Sequence, residues 1–172
     1  MNALERTVGP GLVSLLSTSD PAAGSRSEPC LRRHWCELAL APLAESVTEA
    51  RRFAGNTVAG WGLDASVAQC VQLVLSELVT NAVRHSLGQR TGFEIRLRIV
   101  YTPGVLAIGV SDPHPGTPVL RPVSLTQTHG RGLLLVDAYC DEWTVLPGAD
   151  GGKQVCAFWA LPAAPLAPGH ST

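Results

Sequence analysis

The sequence is poor in the features that mark several classes of protein. Its five cysteines, Cys30, Cys36, Cys70, Cys140 and Cys156, are odd in number, are scattered, and never form a Cys-x-x-Cys pair. They therefore predict neither a disulfide framework nor a zinc site. A reducing cytoplasm is the setting that this cysteine usage favours.

Surplus charge and long apolar runs are also absent. Thirteen Lys and Arg residues are balanced by 14 Asp and Glu residues, which gives a formal net charge of −1. Without surplus cations to displace phosphate counterions, direct nucleic-acid binding is not expected. The apolar run at residues 12–16 is too short for a signal-peptide core or a membrane span. We therefore expect a cytoplasmic protein that does not act at a membrane.

Length and composition predict one domain. The chain has 172 residues, of which 45% are hydrophobic, and this content suits a single globular unit. Residues 1–30 mix Gly, Pro, Ser and Thr without a sustained period, and residues 162–172 repeat Pro and Ala. Both ends are therefore expected to be flexible tails. The folded domain should span residues 31–161.

The order of the predicted elements indicates an α/β fold. Residue spacing and turn signals predict a strand at 34–40, helices at 43–61 and 65–85, and strands at 93–101 and 105–111. A proline-rich segment follows at 112–129. The chain then continues with a short helix at 133–139 and strands at 142–146 and 153–161. Four prolines in residues 112–129 exclude long regular structure, so we expect a functional loop or lid there. This order favours a mixed sheet with helices on one face.

The helix predicted over residues 65–85 carries polar residues in two stripes. Glu77, Asn81 and Arg84 recur at i, i+4 and i+7 beside an apolar arc, where they could line a cleft. By spacing alone, a wider solvent face is the more common case. An ordinary solvent stripe is expected from Gln69, Gln72, Ser76 and Thr80. The apolar arc consists of Val71, Val74, Leu75, Leu78 and Ala82.

Two further candidate pieces lie where predicted elements end or begin. Asp112 follows an apolar strand and precedes Pro113, so its carboxylate should lie where the backbone leaves the sheet, although such an Asp is also common in turns. Gly130 and Gly132 flank Arg131 just before a helix, where backbone N–H groups can receive an anion. Loop glycines also serve backbone geometry alone. Neither a Walker nor a Rossmann glycine pattern is present.

Taken in this order, the three pieces resemble the Bergerat-fold (GHKL) ATPases, which include gyrase-type, heat-shock chaperone, histidine-kinase and mismatch-repair ATPases. Residues 76–86, SELVTNAVRHS, resemble the N box of the small anti-sigma-factor serine kinases and their actinobacterial relatives. Residues 110–116 resemble the G1 box, and residues 130–133 resemble the G2 box. The resemblance covers about residues 31–161. It implies a two-layer α/β sandwich with a mixed, mostly antiparallel sheet, helices on one face and an ATP lid.

The resemblance also implies roles for individual residues. Asn81 would hold Mg²⁺ against the ATP phosphates, because an amide oxygen suits this hard cation. Glu77 would be the general base that orients or deprotonates the attacking hydroxyl. Asp112 would accept a hydrogen bond from the adenine amino group and so select adenine over guanine. The backbone of Gly116 would approach the base. The end of the lid would cradle phosphate through Gly130, Arg131 and Gly132.

The chain departs from the family pattern at two of these elements. The usual Asp-x-Gly-x-Gly of the G1 box reads Asp-Pro-His-Pro-Gly over residues 112–116, which would reshape the adenine pocket. A late Gly-Gly-Thr element reads Gly-Gly-Lys over residues 151–153, so one hydroxyl partner is missing. Lys153, the only lysine, could meet phosphate, but a solvated lysine at the start of a strand is the more common case.

The histidines have ordinary explanations. His85 lies at the end of a helix, where a cation is favourable, and His129 lies in the expected lid. His114, His129 and Cys140 lack the spacing of metal ligands. Neither catalysis nor metal binding by these side chains is therefore expected.

Two hypotheses of function follow. The resemblance implies a homodimeric regulatory ATPase that binds Mg-ATP, holds a sigma factor inactive and passes the γ-phosphate to a serine of an anti-anti-sigma partner. The altered G1 box keeps a second hypothesis open, a non-catalytic switch that binds a protein partner with or without ATP. In such a switch, ordering of the lid would bias a binding surface without phosphoryl transfer.

Overall fold

The computed structural model describes residues 10–16, 33–86, 94–112, 132–148 and 151–162. Its elements in chain order are α1 Pro10–Ser14, β1 His34–Leu40, α2 Glu45–Gly60, α3 Ala65–Ser86, β2 Ile95–Thr102, β3 Val105–Asp112, α4 Gly132–Tyr139, β4 Glu142–Pro147 and β5 Lys153–Ala160. Every helix and strand predicted from the sequence is present, with boundaries that differ by no more than two residues. Of the expected lid, residues 112–129, only Asp112 is among the described residues.

The five strands form one sheet in the order β1-β2-β3-β5-β4. All four pairings among the described strands are antiparallel, so the expected mixed sheet is antiparallel throughout this part of the chain. The reason is that two hairpins, β2–β3 and β4–β5, build most of the sheet. Gly104, at a φ of 90° that favours glycine, makes the predicted turn of the first hairpin. β5 then enters the sheet beside β3.

The main core lies between one face of the sheet and helices α2, α3 and α4. Alternate residues of β3, Leu106, Ile108 and Val110, point into this core, as the period of two requires. The predicted apolar arc of α3 is confirmed, because its members are 0–3% exposed. Among the described helices, α3 alone is long and apolar enough to cross a bilayer, with a mean hydropathy of 1.2. Here its apolar arc packs on the sheet.

The packing of α2 on α3 corrects one prediction about the solvent stripe. Ser76 is buried, and its hydroxyl accepts a 2.9 Å hydrogen bond from Arg51 Nε on α2. Gln72 Nε2 donates to the Arg51 carbonyl at 3.2 Å. Thr80 is half-buried, and only Gln69 of the expected stripe is exposed. The stripe is therefore a second helix contact, which the spacing of a single helix cannot reveal.

The expected N-terminal tail also differs from the structure. Residues 10–16 lie on the sheet face opposite the large helices, where Leu16 is 1% exposed. Leu12, Leu15 and Leu16 recur at helical spacing, and they cover an apolar patch of Val100, Ala107, Cys156 and Phe158. The Arg33 guanidinium donates to the Leu15 carbonyl. Residues 10–16 pack here because the contact buries the apolar patch. The other residues of the expected tails, 1–9, 17–30 and 163–172, lie outside the described residues.

Removal of the Leu16 side chain should expose Cys156, since the two share one apolar cluster. Burial raises the pKa of the Cys156 thiol to about 12, which keeps it protonated and unreactive. Truncation of a buried Leu costs about 2–5 kcal/mol, so undocking of α1 should become at least about tenfold more frequent. In a chain whose other cysteines are replaced by serine, we expect Leu16→Ala to speed thiol labelling of Cys156 by that factor.

The matched control is Ser14→Ala, because Ser14 is exposed on the same short helix. It should label at the unaltered rate. Equal labelling rates in the Leu16→Ala and Ser14→Ala proteins would show that α1 does not protect Cys156.

Candidate functional site

One face of α3 carries a row of polar side chains that leads to the end of the central strand, β3. Glu77, Asn81 and His85 are spaced at i, i+4 and i+8, so they share a face and span about 12 Å along the helix axis. Glu77 and Asn81 are half-buried. Arg84, which the spacing included in this stripe, is exposed, and no described contact links it to the other site residues. The row therefore continues through His85 rather than Arg84.

Asp112 at the end of β3 meets this row at its C-terminal end. Its side chain is only 3% exposed, and Oδ2 lies 2.8 Å from His85 Nδ1. An ionised carboxylate only accepts hydrogen bonds, so the ring nitrogen facing it carries the proton. The contact joins residues from the long helix and from the central strand. The helix-end position of His85 was expected, and its contact with Asp112 was not.

Lys153 approaches the same carboxylate from the neighbouring strand. Asp112 and Lys153 are cross-strand partners in the β3–β5 pairing, and Lys153 Nζ lies 2.7 Å from Asp112 Oδ2. The Lys153 side chain is 4% exposed, so the expectation of a solvated lysine is wrong. A buried carboxylate needs a partner to offset its loss of hydration, and this lysine provides one. The two donors on Oδ2 also restrict rotation of the carboxylate.

The other end of the row lies against the start of α4. A Cβ built on Gly132 would come 2.7 Å from Glu77 Oε2 and 3.3 Å from Asn81 Nδ2. Only glycine fits this approach without moving the two side chains. The first backbone N–H groups of α4 are unpaired within the helix, so this end favours negative charge. Glu77, Asn81 and Gly132 therefore form one compact group.

Hydrogen bonds at the other end of α4 hold this group in place. Trp159 Nε1 on β5 donates to the Tyr139 carbonyl at 2.7 Å, and Trp143 Nε1 on β4 donates to Asp137 at 3.2 Å. Leu133 and Val136 are buried on the inner side of α4. The helix is thus tied to the sheet by its C-terminal half, which leaves its N-terminus at α3.

The structure brings together four of the residues predicted for the site. Glu77, Asn81 and Gly132 lie at one end of the row, and Asp112 lies at the other. The remaining predicted residues, Gly116, Gly130 and Arg131, lie outside the described residues, as do His114 and His129. The described part of the chain contains no group of three His, Cys, Asp or Glu side chains that could hold a metal ion.

His85 and Lys153 are the residues whose place at the site sequence reasoning missed. The signal for His85 was its spacing of eight from Glu77, which keeps it on the same helical face. The signal for Lys153 was the Gly-Gly-Lys element itself, since the β5 strand that it begins pairs with β3 and sets Lys153 opposite Asp112. That register depends on the hairpin and on α4, and it is not visible in any single segment.

Comparisons with known proteins agree with this architecture. An uncharacterized protein of Streptomyces coelicolor is 37% identical over 84 residues, which are 48% of this chain and 78% of that protein. The crystal structure of the RsbU and RsbW domains of Rv1364c from Mycobacterium tuberculosis matches 78% of this chain with a TM-score of 0.57 and 20% identity. The chain spans only 35% of that longer chain, and at this identity the likeness shows the fold.

A family model gives the assignment. The model described as the histidine kinase-like ATPase domain matches residues 40–159, well over half of the chain. The matched range runs from the end of β1 to β5 and includes α3, Asp112 and Lys153. The chain therefore belongs to the histidine kinase-like ATPase domain family.

Proposed function

We propose that the chain is a cytoplasmic ATP-binding regulatory protein that binds Mg-ATP along the polar face of α3 and phosphorylates a serine or threonine of a protein partner. The observation that carries the proposal is the arrangement of the polar row. A group of hard oxygen donors and a close glycine lie at one end, and a buried carboxylate lies about 12 Å along α3 at the other. A nucleoside triphosphate requires two such separate groups, because its phosphates and its base are recognised at different places.

The phosphate end suits a magnesium-bound triphosphate. Mg²⁺ in proteins keeps several waters and is held by one or two side-chain oxygens together with substrate phosphates. Asn81 would supply the amide oxygen, and the N-terminus of α4 at Gly132 would face the phosphates. Bound Mg²⁺ neutralises phosphate charge during transfer. Gly130 and Arg131 are proposed to extend this cradle.

The base end suits a purine with an exocyclic amino group. Asp112 is proposed to accept from the adenine amino group, with Gly116 near the ring. A carboxylate can accept from about four donors, so its two contacts with His85 and Lys153 do not by themselves exhaust it. The carboxylate is already oriented by these contacts, which lowers the entropy that adenine binding must offset.

Glu77 is proposed as the general base of phosphoryl transfer. A partner hydroxyl would attack the γ-phosphorus, the new P–O bond would form as the bond to the β–γ bridging oxygen breaks, and ADP would leave. The hydroxyl proton would pass to the Glu77 carboxylate, which lies beside Gly132 and Asn81. This arrangement places the base at the phosphate end, where the attack takes place.

The partner class is proposed from the resemblance of residues 76–86 to the N box of anti-sigma-factor kinases. In that case the chain holds a sigma factor and phosphorylates an anti-anti-sigma protein, and it acts as a homodimer. The balanced charge of −1 suits protein partners rather than nucleic acid. A Mycobacterium tuberculosis protein with RsbU and RsbW domains has a similar fold, although this chain spans 35% of it.

A second candidate function is a switch without catalysis, and one observation favours it. Asp112 Oδ2 is already contacted by Lys153 and His85, so a base must join an existing buried network. If that network excludes ATP, or if ATP binds but its γ-phosphate is not transferred, the fold would serve as a protein-binding module. The two candidates differ in whether nucleotide binds and in whether Glu77 matters for the outcome.

Binding of Mg-ATP should depend on both ends of the row. By calorimetry with Mg²⁺, we expect ATP to bind more tightly than GTP, whose O6 would face the Asp112 carboxylate. Asn81→Ala and Asp112→Ala should each weaken ATP binding about tenfold or more, because each removes a contact with a charged or strongly polar group. Gln69→Ala, exposed on the same helix, should bind ATP as the unaltered chain does.

Thermal unfolding of each variant separates loss of binding from loss of folding, which matters for Asp112→Ala because it leaves Lys153 buried without its carboxylate. If ATP fails to bind the unaltered chain at millimolar concentration, the ATP-binding proposal is wrong and the nucleotide-independent switch remains.

Transfer of phosphate should require Glu77. With γ-labelled ATP, Mg²⁺ and a panel of purified anti-anti-sigma proteins, we expect Glu77→Ala to slow labelling of the accepted partner about 10²–10⁴-fold while ATP affinity changes little. Gln69→Ala is again the control. Bound ATP with no labelled partner, or labelling that Glu77→Ala leaves intact, would contradict the kinase assignment.

A methyl group at Gly132 should disturb the phosphate end alone. Its Cβ would meet the Glu77 carboxylate, the flexible end of a side chain, so Gly132→Ala should fold and move Glu77. A displacement of about 1 Å can cost about 10²-fold in rate, so transfer should fall strongly with a smaller change in ADP affinity. Gly60→Ala is the matched control, since a Cβ there meets nothing within 4 Å. Equal transfer rates in the two variants would place Glu77 outside the reaction.

A further inference from the structure

The buried pair of Asp112 and Lys153 offers an acceptor and a donor side by side. Both side chains are almost fully buried, with exposures of 3% and 4%, and their polar atoms are 2.7 Å apart. They lie on the neighbouring inner strands β3 and β5, opposite each other in the register, and both face the helix layer. Stability is a weak reason for such a pair, because apolar residues of similar volume are often as stable or more stable in its place.

The edge of adenine presents the complementary pattern. Its 6-amino group donates a hydrogen bond, and the adjacent ring nitrogen N1 accepts one. A carboxylate alone can serve only the amino group and leaves N1 without a donor. An ammonium group has three N–H donors, so a lysine can contact a carboxylate and a second acceptor at the same time. A lysine next to the carboxylate therefore supplies the kind of group that N1 requires.

We propose that Lys153 is a specificity-determining residue whose ammonium donates to purine N1 while Asp112 accepts from the 6-amino group. This inference rests on the proposed function, since it requires ATP to bind with its base at Asp112. His85 has a different part. It contacts Asp112 Oδ2 from α3 and is 42% exposed, so it orients the carboxylate at the rim of the site. Lys153 lies deeper, on the sheet.

The alternative role for Lys153 is positioning alone, in which it only neutralises and orients Asp112. Both roles predict that loss of Lys153 weakens ATP binding, so a single substitution does not separate them. They differ in whether the loss depends on N1. A thermodynamic cycle that changes Lys153 in the protein and N1 in the nucleotide measures that dependence directly.

The experiment measures Mg²⁺-dependent binding of ATP, 1-deaza-ATP and 7-deaza-ATP to the full chain and to Lys153→Met. For the unaltered chain we expect 1-deaza-ATP to bind about tenfold or more weakly than ATP, because it lacks the N1 acceptor. The 7-deaza nucleotide keeps the same edge and should bind as ATP does. In Lys153→Met, ATP should lose about the same factor, and ATP and 1-deaza-ATP should bind equally.

An unchanged ratio between ATP and 1-deaza-ATP in Lys153→Met would overturn the proposal and leave Lys153 as a positioning residue. If that variant fails to fold, because Asp112 remains buried without its cation, the same cycle is run between Asp112→Asn and the double variant Asp112→Asn, Lys153→Met. Failure of the unaltered chain to bind ATP at all would instead refute the proposed function. The two failures are therefore distinguishable.

Discussion

The burial of the apolar arc of α3 against the sheet is the constraint on which the rest of the site depends. Val71, Val74, Leu75, Leu78 and Ala82 are 0–3% exposed, and so the rotation of the helix about its axis is determined. That rotation sets Glu77, Asn81 and His85 on one face of the helix and brings His85 to the end of the central strand, β3. A helix rotated by one residue, about 100°, would bury these polar groups or expose the arc. The core thus sets the geometry of the polar row.

The register of β3 with β5 is the second constraint, and it acts on the end of the polar row at Asp112. It sets Asp112 opposite Lys153 and, by the same alternation, turns Leu106 and Trp159 into the core. A slip by one residue would move all of these side chains to the opposite face of the sheet. The ion pair therefore gains its position from apolar packing along the whole strand pair. Stability alone does not account for such a pair, because well-packed apolar residues are often as stable in its place.

The sequence predicted the parts of the molecule that depend on local pattern. Every element of the domain was expected, because alternation, helical spacing and turn residues such as Gly104 are properties of single segments. The structural features that the sequence did not predict depend on contacts between segments. Ser76 is buried only because α2 packs there, α1 is held only because an apolar patch lies on the far face, and Lys153 reaches Asp112 only through strand pairing.

The two ends of the polar row are held by different forces, and this difference bears on how a nucleotide would bind. At the Asp112 end, the side chains of His85 and Lys153 lie within hydrogen-bond distance of the carboxylate, so the groups proposed to recognise the base are oriented in advance. At the Gly132 end, Glu77 and Asn81 face the start of α4 across a close glycine contact, and the side-chain hydrogen bonds described above between the sheet and α4 reach its C-terminal half. In the proposed binding mode the triphosphate would supply the negative charge that the α4 N-terminus favours, so one nucleotide would contact both ends of the row.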